Sequence, residues 1–373
     1  MRRAEDSNGR LAASEATPSL GDLVRRYGGL VFSSALLPHA RGDARGALAS
    51  DDPRLERPVQ DVRLHSGSVH PGDLFAALPG LRADGTRFSA DAASRGAAMI
   101  LIPASRSLAR VRELLRAAPA ARRASPLIWL HPRARAILGE LAADVYGRPG
   151  ERLALSAVTG TNGKTSVCHL AAQLLASAEL APATLGTAGH TLRGASGGAL
   201  HLEATHTTPD ATELQRLLAR HLTGGGDCAV MEASSHALVQ GRLDGLKLRA
   251  AAFTNLTREH LDYHGTMAKY AEAKARLWDH VRPGGTAVVF DSGDVARDMA
   301  RRAADRGLRV VRVAIEGQGE DGASGGAAWA DQEDVLVASQ LRASGRGALF
   351  VLDGLGIEGA EVHLPLRGSH NVE

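Results

Sequence analysis

Residues 153–166 read LALSAVTGTNGKTS and join the pattern of a buried strand to the start of a helix. The apolar residues that follow recur at helical spacing: Val167, Leu170, Leu174 and Leu175. Glycines between the two elements let the backbone turn tightly, so that its N–H groups point inward at the positive end of the helix. This order of strand, glycine-rich turn and helix predicts a phosphate-binding loop at residues 159–166, called the phosphate loop below.

Two side chains of the phosphate loop suit a triphosphate. Lys164 supplies positive charge for the β and γ phosphates, and the Thr165 hydroxyl can hold Mg²⁺. Val158 stands where the usual eight-residue motif has glycine, so an ordinary glycine-rich turn without a ligand is the alternative. Because a strand precedes the loop and a helix follows it, we predict a nucleoside triphosphate with Mg²⁺ as the ligand.

The chain from residue 151 onward alternates between strand and helix patterns. Its strand patterns are LALSAV, DCAVMEA, LRAAAFTN, GGTAVVFD and RVVRVAI. This alternation predicts an α/β fold whose mainly parallel sheet is covered on both faces. We assign residues 151–373 to a central P-loop-type domain and residues 19–150 to a small N-terminal α/β domain. Residues 1–18 are polar and lack periodicity, which predicts a disordered tail.

Composition excludes several classes of protein. At about 150 residues a domain, 373 residues predict two to three domains. The net charge is +3 without a long run of like charges, so we expect no nucleic-acid partner. Cys168 and Cys228 cannot form a disulfide framework, and no apolar stretch is long enough to cross a membrane. These features predict a cytoplasmic protein without membrane insertion, and they leave its oligomeric state open.

Polar residues follow two later strand patterns at the predicted carboxyl edge of the sheet. Glu232 can coordinate Mg²⁺ there, or it can cap the turn that begins the SSHAL sequence. The next strand leads into a loop that carries Asn255, His260, Asp262 and His264. This loop is either part of the same site or an ordinary solvated loop.

Lys274 lies within the apolar face of the predicted helix GTMAKYAEAKARLWDHV. That face consists of Met267, Tyr270, Ala271, Leu277, Trp278 and Val281. Burying an unpaired ammonium group costs roughly several kcal/mol, so Lys274 must be paired, neutral, extended to solvent or chemically modified. A neutral lysine near a metal can also take up carbon dioxide and become an anionic carbamate ligand.

Six motifs together resemble those of the bacterial Mur ligase family. They are PGDLFAALPG at 71–80, TGTNGKTS at 159–166, THTTPDATELQ at 205–215, MEASSHALVQGRLDG at 231–245, FTNLTREHLDYHGTMAKYAEAKARLW at 253–278 and GSHNV at 368–372. Within that family, the chain is most similar to the members that add the third residue of the peptidoglycan stem peptide. The resemblance extends from about residue 59 to residue 373.

The resemblance implies ATP and Mg²⁺ as cofactors. The implied nucleotide-binding residues are Gly160, Thr161, Asn162, Gly163, Lys164, Thr165, Ser166, Asn255 and Asn371. The implied metal ligands are Thr165, Glu232, His260 and Lys274, the last as a carbamate. The implied catalytic residues are Lys164, His260 and Lys274.

The resemblance also implies two substrates, UDP-N-acetylmuramoyl-L-alanyl-D-glutamate and a diamino acid. The γ-phosphoryl group of ATP would pass to the glutamate carboxylate, and the amine would attack the resulting acyl phosphate to form an amide. The residues implied to bind the UDP-linked substrate are Ser66, Thr207, Thr208, Ser234, Gln240 and Arg242. Around Ser66 the family has Asp-Ser-Arg, whereas this chain has His65, Ser66 and Gly67.

The chain stops at GSHNVE, where the family continues into a third, Rossmann-like domain that binds the incoming amino acid. We therefore expect the central domain to be incomplete at its C-terminal end and the third domain to be absent. The chain should then bind nucleotide and UDP-linked substrate but catalyse little or no ligation. The alternatives are a non-catalytic nucleotide-binding remnant, a different Mur-type or folylpolyglutamate-type ligase, and a P-loop hydrolase. The sequence leaves open whether the diamino acid is meso-diaminopimelate or L-lysine.

Overall fold

Two sheets organise the chain, and each is built around strands with apolar residues on both faces. The computed structural model describes residues 17–33, 47–80, 83–106, 108–117, 126–194, 197–316, 334–344 and 347–366. Most of the predicted tail, 1–18, and Asn371 lie outside the described residues. The first of two compact units takes the described residues of Met1–Pro149, Asp210–Thr223 and Asp244–Leu246, and the second takes the remainder.

The first unit contains a five-stranded sheet with the strand order β1-β5-β4-β3-β2. Its strands are β1 (Leu30–Ser33), β2 (Val62–Arg63), β3 (Leu74–Ala76), β4 (Met99–Pro103) and β5 (Leu127–His131). Strands β2 to β5 pair in parallel, and β1 pairs with β5 antiparallel. The α-helices of this unit are Leu20–Tyr27, Ser89–Ser94, Leu108–Ala117, Leu138–Val145 and Ala211–Thr223. Short 3₁₀ turns lie at Pro53–Glu56, Ser66–Ser68 and Gly85–Phe88.

Strand β4 shows why this sheet has a core on each side. Met99 and Leu101 belong to one buried cluster, whereas Ile100 and Ile102 belong to another. Successive side chains of a strand point to opposite faces, so a strand covered on both sides is apolar without alternation. The unbroken apolar run AAMILIP at residues 97–103 predicts such a buried strand, and β4 is that strand.

Strand β1 differs from what the sequence pattern indicates, because its first residues belong to the run LGDLVRRYGGLVF at 20–32, which suggests a short helix. The helix ends at Tyr27, and Gly28 and Gly29 follow with φ angles of 76° and 98°. A Cβ atom on Gly29 would lie 2.7 Å from the backbone oxygen of Leu130. Glycine is therefore needed where the chain leaves the helix and pairs with β5.

The second unit contains an eleven-stranded sheet with the order β16-β15-β14-β13-β12-β11-β6-β10-β7-β8-β9. Its strands are β6 (Ala154–Thr159), β7 (Pro182–Gly186), β8 (Gly189–Arg193), β9 (Ala199–Leu202), β10 (Cys228–Glu232), β11 (Leu248–Phe253), β12 (Val281–Phe290), β13 (Arg309–Ile315), β14 (Val335–Ser344), β15 (Gly347–Gly354) and β16 (Ile357–Leu364). The seven strands from β7 to β14 in this order pair in parallel, and the outer strands pair antiparallel. This confirms the predicted α/β class with a mainly parallel central sheet.

The helices of the second unit are Lys164–Ser177, Ser235–Val239, Leu261–His264, Met267–Ala275 and Asp294–Ala304, with a 3₁₀ turn at Arg276–His280. The short helix Pro149–Arg152 spans the change from the first unit to the second along the sequence. The helix around Lys274 is shorter than its sequence pattern predicts, because it ends at Ala275 and a 3₁₀ turn follows. In the part of the chain that the structure describes, no helix combines the length and apolarity needed to cross a membrane.

The helix after the phosphate loop forms as predicted, and two of its four apolar positions, Val167 and Leu175, pack against a buried cluster. Leu174 is 73% exposed, whereas Cys168 and Ala172 are buried. Small side chains on the buried side let the helix lie close to the sheet, where Cys168 packs with Val158 and Val230.

Strands β7, β10, β6 and β11 are neighbours and run in the same direction, so the residues that follow them meet at one edge. In open parallel sheets, ligands bind outside the carboxyl ends of the strands. The phosphate loop follows β6, Glu232 ends β10, and Asn255 lies shortly after β11.

Replacing Leu155 with alanine should destabilise the second unit, because Leu155 is fully buried in β6. Such a truncation lowers the free energy of unfolding by about 2–5 kcal/mol. The measurement is urea-induced unfolding, monitored through hydrogen exchange of the β6 and β10 backbone amides. The matched control, Leu174→Ala, should change the free energy by less than about 0.5 kcal/mol. Equal effects of the two substitutions would contradict the described core.

Candidate functional site

The phosphate loop has a backbone that only glycine accommodates at two points. Gly160 and Gly163 have φ angles of 153° and 84°. A Cβ atom on Gly160 would collide with the hydroxyl of Thr254. The helix begins at Lys164, directly after Gly163, so the loop and the helix N-terminus form one continuous turn.

Residues after β11 hold the phosphate loop in shape. The backbone N–H of Thr161 donates to the Asn255 backbone oxygen at 2.9 Å, and that of Asn162 donates to Asn255 Oδ1 at 3.0 Å. The Thr254 hydroxyl donates to the Asn162 carbonyl at 2.6 Å. Asn255 thus contacts the loop itself, and its direct contact with a nucleotide stays a prediction.

A polar cavity of about 370 Å³ lies over the phosphate loop. Its lining residues are Thr161, Asn162, Gly163, Lys164, Thr165, Ser166, Thr187, Thr207, Glu232, Ser234 and His260. All of these residues belong to the second unit. The cavity brings together ten of the residues singled out from the sequence, and Thr187 is the addition.

Lys164 lies partly buried at the start of the helix. Its Nζ donates to the backbone oxygens of Gly160 and Thr161 at 3.1 and 2.9 Å. Burial lowers the pKa of Lys164, although the charges of Glu232 and Glu259 partly oppose this effect.

Lys274 is 2% exposed, so the alternative in which its ammonium group extends to solvent is wrong. Its Nζ donates to the Gly160 backbone oxygen at 2.6 Å and lies 4.5 Å from the centre of the Tyr270 ring. Burial and the nearby charge of Lys164 lower the pKa of Lys274 to about 7. A substantial fraction of the Lys274 side chains is therefore neutral at physiological pH, and the neutral amine is the form that reacts with carbon dioxide.

Glu232 is 1% exposed and presents its carboxylate at the edge of the cavity. Oε1 accepts hydrogen bonds from the Thr165 hydroxyl at 2.9 Å and from the Thr187 backbone N–H at 2.7 Å. The capping role considered for Glu232 is wrong, because the Ser234 hydroxyl caps the helix Ser235–Val239 by accepting from Ala237 N–H at 3.2 Å.

The oxygen atoms of Thr165 and Glu232 suit Mg²⁺ when a nucleotide completes its coordination. Mg²⁺ in such sites is held by one or two carboxylates, phosphate oxygens and water. Within the described ranges, no group of three or more His, Cys, Asp or Glu side chains could hold a metal by itself. The two oxygen donors, Thr165 and Glu232, fit a metal ion that arrives with phosphate groups.

The polar loop after β11 divides into residues with different environments. His260 lines the cavity with a φ angle of 53°, and Asp262 is exposed. His264 is buried, shares a hydrogen bond of 2.9 Å with the Ser235 hydroxyl and stacks on the Tyr270 ring. Burial is the main cause that lowers the pKa of His264. Among Asn255, His260, Asp262 and His264, only His260 lines the cavity.

Except for Ser66, the residues implied to bind the UDP-linked substrate form a connected group, and Thr207 and Ser234 of that group line the cavity. Thr208 donates to the Glu232 backbone oxygen at 2.8 Å and accepts from Ser234 N–H at 3.1 Å. Arg242 donates to the Thr208 backbone oxygen at 2.6 Å and to Gln240 Oε1 through two nitrogens.

Ser66 belongs to a 3₁₀ turn of the first unit. Its side chain hydrogen-bonds the Asp91 carboxylate, and this bond is the main cause that lowers the pKa of Asp91. Contact between Ser66 and a uridine stays a prediction.

Sequence reasoning missed Thr187 because β7 was not predicted. PATLG is a short apolar run, and recognising it as a parallel strand beside β10 would have placed the following threonine at the same edge as Glu232. Thr254 was missed for a different reason, since its contact with the loop depends on the pairing of β11 with β6.

Comparison with known proteins identifies two family domains in the chain. Residues 158–373 match the Mur ligase middle domain, and residues 58–146 match the catalytic domain of the Mur ligase family. The first match by itself covers more than half of the chain.

Named relatives and a solved structure agree with these matches. The UDP-N-acetylmuramoyl-L-alanyl-D-glutamate–2,6-diaminopimelate ligase of Parasynechococcus marenigrum is 45% identical over 61% of this chain and 42% of its own. The ligase of that name from Xanthomonas campestris pv. campestris is 36% identical over 86% of this chain and 59% of its own. A solved structure of such a ligase has a TM-score of 0.67 at 29% identity and covers 87% of this chain and 59% of that chain. The chain spans about half the length of the curated relatives it matches, and it belongs to the Mur ligase family.

Proposed function

We propose that the chain serves ATP-dependent amide bond formation in peptidoglycan precursor synthesis. The acceptor is UDP-N-acetylmuramoyl-L-alanyl-D-glutamate and the nucleophile is a diamino acid. The observation that carries this proposal is one cavity in which the phosphate loop faces Glu232, Thr207 and Ser234. The names of the relatives, which are ligases for this UDP-linked dipeptide, support the choice of substrates.

The phosphate loop supplies the nucleotide site in this proposal. Backbone N–H groups at the helix N-terminus, other than those of Thr161 and Asn162 that bond Asn255, would surround phosphate oxygens, and Lys164 would neutralise the charge that shifts during phosphoryl transfer. A preorganised positive group of this kind contributes roughly several kcal/mol to lowering the barrier. Lys164 holds the Gly160 and Thr161 carbonyls and can turn from them to a phosphate, because lysine has three rotatable donors.

Thr165 and Glu232 are the residues that would hold Mg²⁺, with His260 as a further candidate in the same cavity. Bound there, Mg²⁺ would neutralise the negative charge of the phosphate oxygens. The Thr165 hydroxyl donates its hydrogen to Glu232, which leaves its oxygen lone pairs available.

The reaction then balances in two steps. The glutamate carboxylate of the acceptor attacks the γ-phosphorus, forming an acyl phosphate and releasing ADP. The amine attacks the acyl carbon, and phosphate leaves as the amide forms and the amine loses a proton. Thr207 and Ser234 line the cavity beside Glu232, and we assign them to binding the acceptor.

Two features of Lys274 support our proposal that it is carbamylated: its lowered pKa and the nearby charge of Lys164. Two ammonium groups, those of Lys164 and Lys274, donate to the same Gly160 oxygen, and their charges repel. A carbamate on Lys274 would replace that repulsion by attraction to Lys164. In our proposal, carbon dioxide adds to the neutral amine, forming an N–C bond and releasing one proton.

The reduced turnover expected of the 373-residue chain stays a prediction, as does its cytoplasmic location.

The alternative functions predict different ligands and products. A P-loop hydrolase releases phosphate from ATP without an acceptor, and a nucleotide-binding remnant binds no UDP-linked dipeptide. We propose 2,6-diaminopimelate as the diamino acid only because the relatives are named as ligases for it.

Lys164→Met should weaken binding of a Mg²⁺-loaded, non-hydrolysable ATP analogue by about tenfold or more, since it removes a charge-assisted contact to phosphate. Isothermal titration calorimetry on the full chain measures this change. The matched control is Lys269→Met, which removes an exposed lysine from the helix Met267–Ala275 and should leave the affinity unchanged. Equal affinities of the two variants would contradict a nucleotide site at the phosphate loop.

The full chain should bind UDP-N-acetylmuramoyl-L-alanyl-D-glutamate, and Thr207→Val should weaken that binding by roughly fivefold through loss of one hydrogen bond. Calorimetry with the acceptor, and with the same molecule lacking glutamate as a control ligand, measures the effect. Phosphate release from ATP is followed in parallel. Rapid release without acceptor would favour the hydrolase, and absence of acceptor binding would favour the remnant.

Carbamylation of Lys274 should increase as the pH rises through about 7 and then level off, because the reacting species is the neutral amine. Because the pKa of Lys274 is lowered in the folded chain, its neutral form is present at pH values well below those at which lysine ordinarily loses its proton. The measurement is ¹³C NMR of the chain in ¹³C-labelled bicarbonate, with Lys274→Met as the control that removes the signal. A chain without a carbamate signal at any pH would contradict this assignment.

A further inference from the structure

Thr187 contacts Glu232 through both its backbone and its side chain. Its N–H donates to Oε1 at 2.7 Å, and its hydroxyl lies 3.3 Å from Oε2. The same hydroxyl lies 3.1 Å from the hydroxyl of Thr207. Thr187 is therefore the residue that joins the Glu232 carboxylate to the side of the cavity where Thr207 lies.

The chemistry of these groups gives the hydrogen bonds a direction. An ionised carboxylate accepts hydrogen bonds and cannot donate, and a hydroxyl has one hydrogen to give. The Thr187 hydroxyl can give its hydrogen either to Thr207 or to Glu232 Oε2; when it gives it to Glu232, its oxygen accepts from Thr207, and the bonds run from Thr207 through Thr187 to Glu232. A ligand that takes the hydrogen of Thr207 leaves Thr187 able to donate to either neighbour.

Gly186 allows this close contact. A Cβ atom on Gly186 would lie 2.9 Å from the carboxylate carbon of Glu232 and would collide with Oε1. The backbone contact to Oε1 does not depend on the side chain at 187, so substitution of Thr187 changes the hydroxyl contacts alone.

We propose that Thr187 is a positioning residue that orients the Glu232 carboxylate and couples the nucleotide side of the cavity to its acceptor side. The inference rests on the proposed function, in which Glu232 faces Mg²⁺ with nucleotide and Thr207 faces the UDP-linked acceptor. Through the Thr187 hydroxyl, occupation of Thr207 changes the hydrogen bonding of Glu232, so each ligand alters the affinity for the other.

The test compares Thr187→Val, which removes the hydroxyl at similar volume, with Thr187→Ser, which keeps it. Calorimetry on the full chain measures the affinity for the non-hydrolysable ATP analogue with and without Mg²⁺, and for the acceptor with and without that analogue. The control is Thr191→Val, which removes a hydroxyl from neighbouring β8 that contacts His201 outside the cavity lining. Thermal unfolding of each variant confirms that the fold is intact.

Thr187→Val should reduce the gain in nucleotide affinity from Mg²⁺ by roughly five- to tenfold. The factor by which each ligand changes the affinity for the other should fall close to one. Thr187→Ser should restore both quantities to within about twofold of the wild-type values. If Thr187 had a structural role alone, its substitution would alter thermal unfolding. A change in Mg²⁺ dependence with unaltered thermal unfolding therefore indicates a positioning role.

Two results overturn the inference, and they are distinguishable. If the wild-type chain binds both ligands and Thr187→Val matches it in Mg²⁺ dependence and coupling, only the role of Thr187 is refuted. If the wild-type chain binds neither ligand, the proposed function fails and the inference fails with it.

Discussion

The carbonyl oxygen of Gly160 accepts hydrogen bonds from two lysines, and this shared contact is the constraint on which the site depends. Lys164 and Lys274 both direct their ammonium groups at it, and Lys274 is almost completely buried. Two positive charges in a partly desolvated turn are stable only when anions or loss of a proton compensate them. In our proposal, a triphosphate over the loop and a carbamate on Lys274 would each provide that compensation, which would link the loop's shape to its ligand.

Glu232, at the end of the neighbouring strand β10, is a buried negative charge and needs hydrogen-bond donors around its carboxylate. It is buried as deeply as a core leucine, and donors from Thr165 and Thr187 hold it in place. Because these donors come from the phosphate loop and from the end of β7, the position of the carboxylate depends on three neighbouring strands. Gly186 keeps the space next to it open, so a backbone atom rather than a side chain approaches the carboxylate.

Much of the site could be predicted from residues that are close together in the sequence. The turn at 159–166 was recognised because its glycines, lysine and threonine occupy adjacent positions, and Lys274 was noticed because a charge interrupts an apolar helical face. The short strands β7 to β9 and the break after Ala275 were missed, since runs of four or five residues have little periodicity and a 3₁₀ turn retains much of the helical spacing. Leu174 is exposed although Val167 and Leu175 of the same apolar set pack against the buried cluster, because helical spacing does not fix how far the covered face extends.

The sequence by itself determined the α/β class, the family and the residues of the predicted phosphate loop, because these depend on local pattern and on motifs read along the chain. Only the tertiary structure decided that Lys274 contacts a carbonyl 114 positions away and that Thr187 lies against Glu232. These contacts follow from the order and register of β7, β10, β6 and β11. Strand order is set by packing among segments far apart in the chain, and no local pattern encodes it.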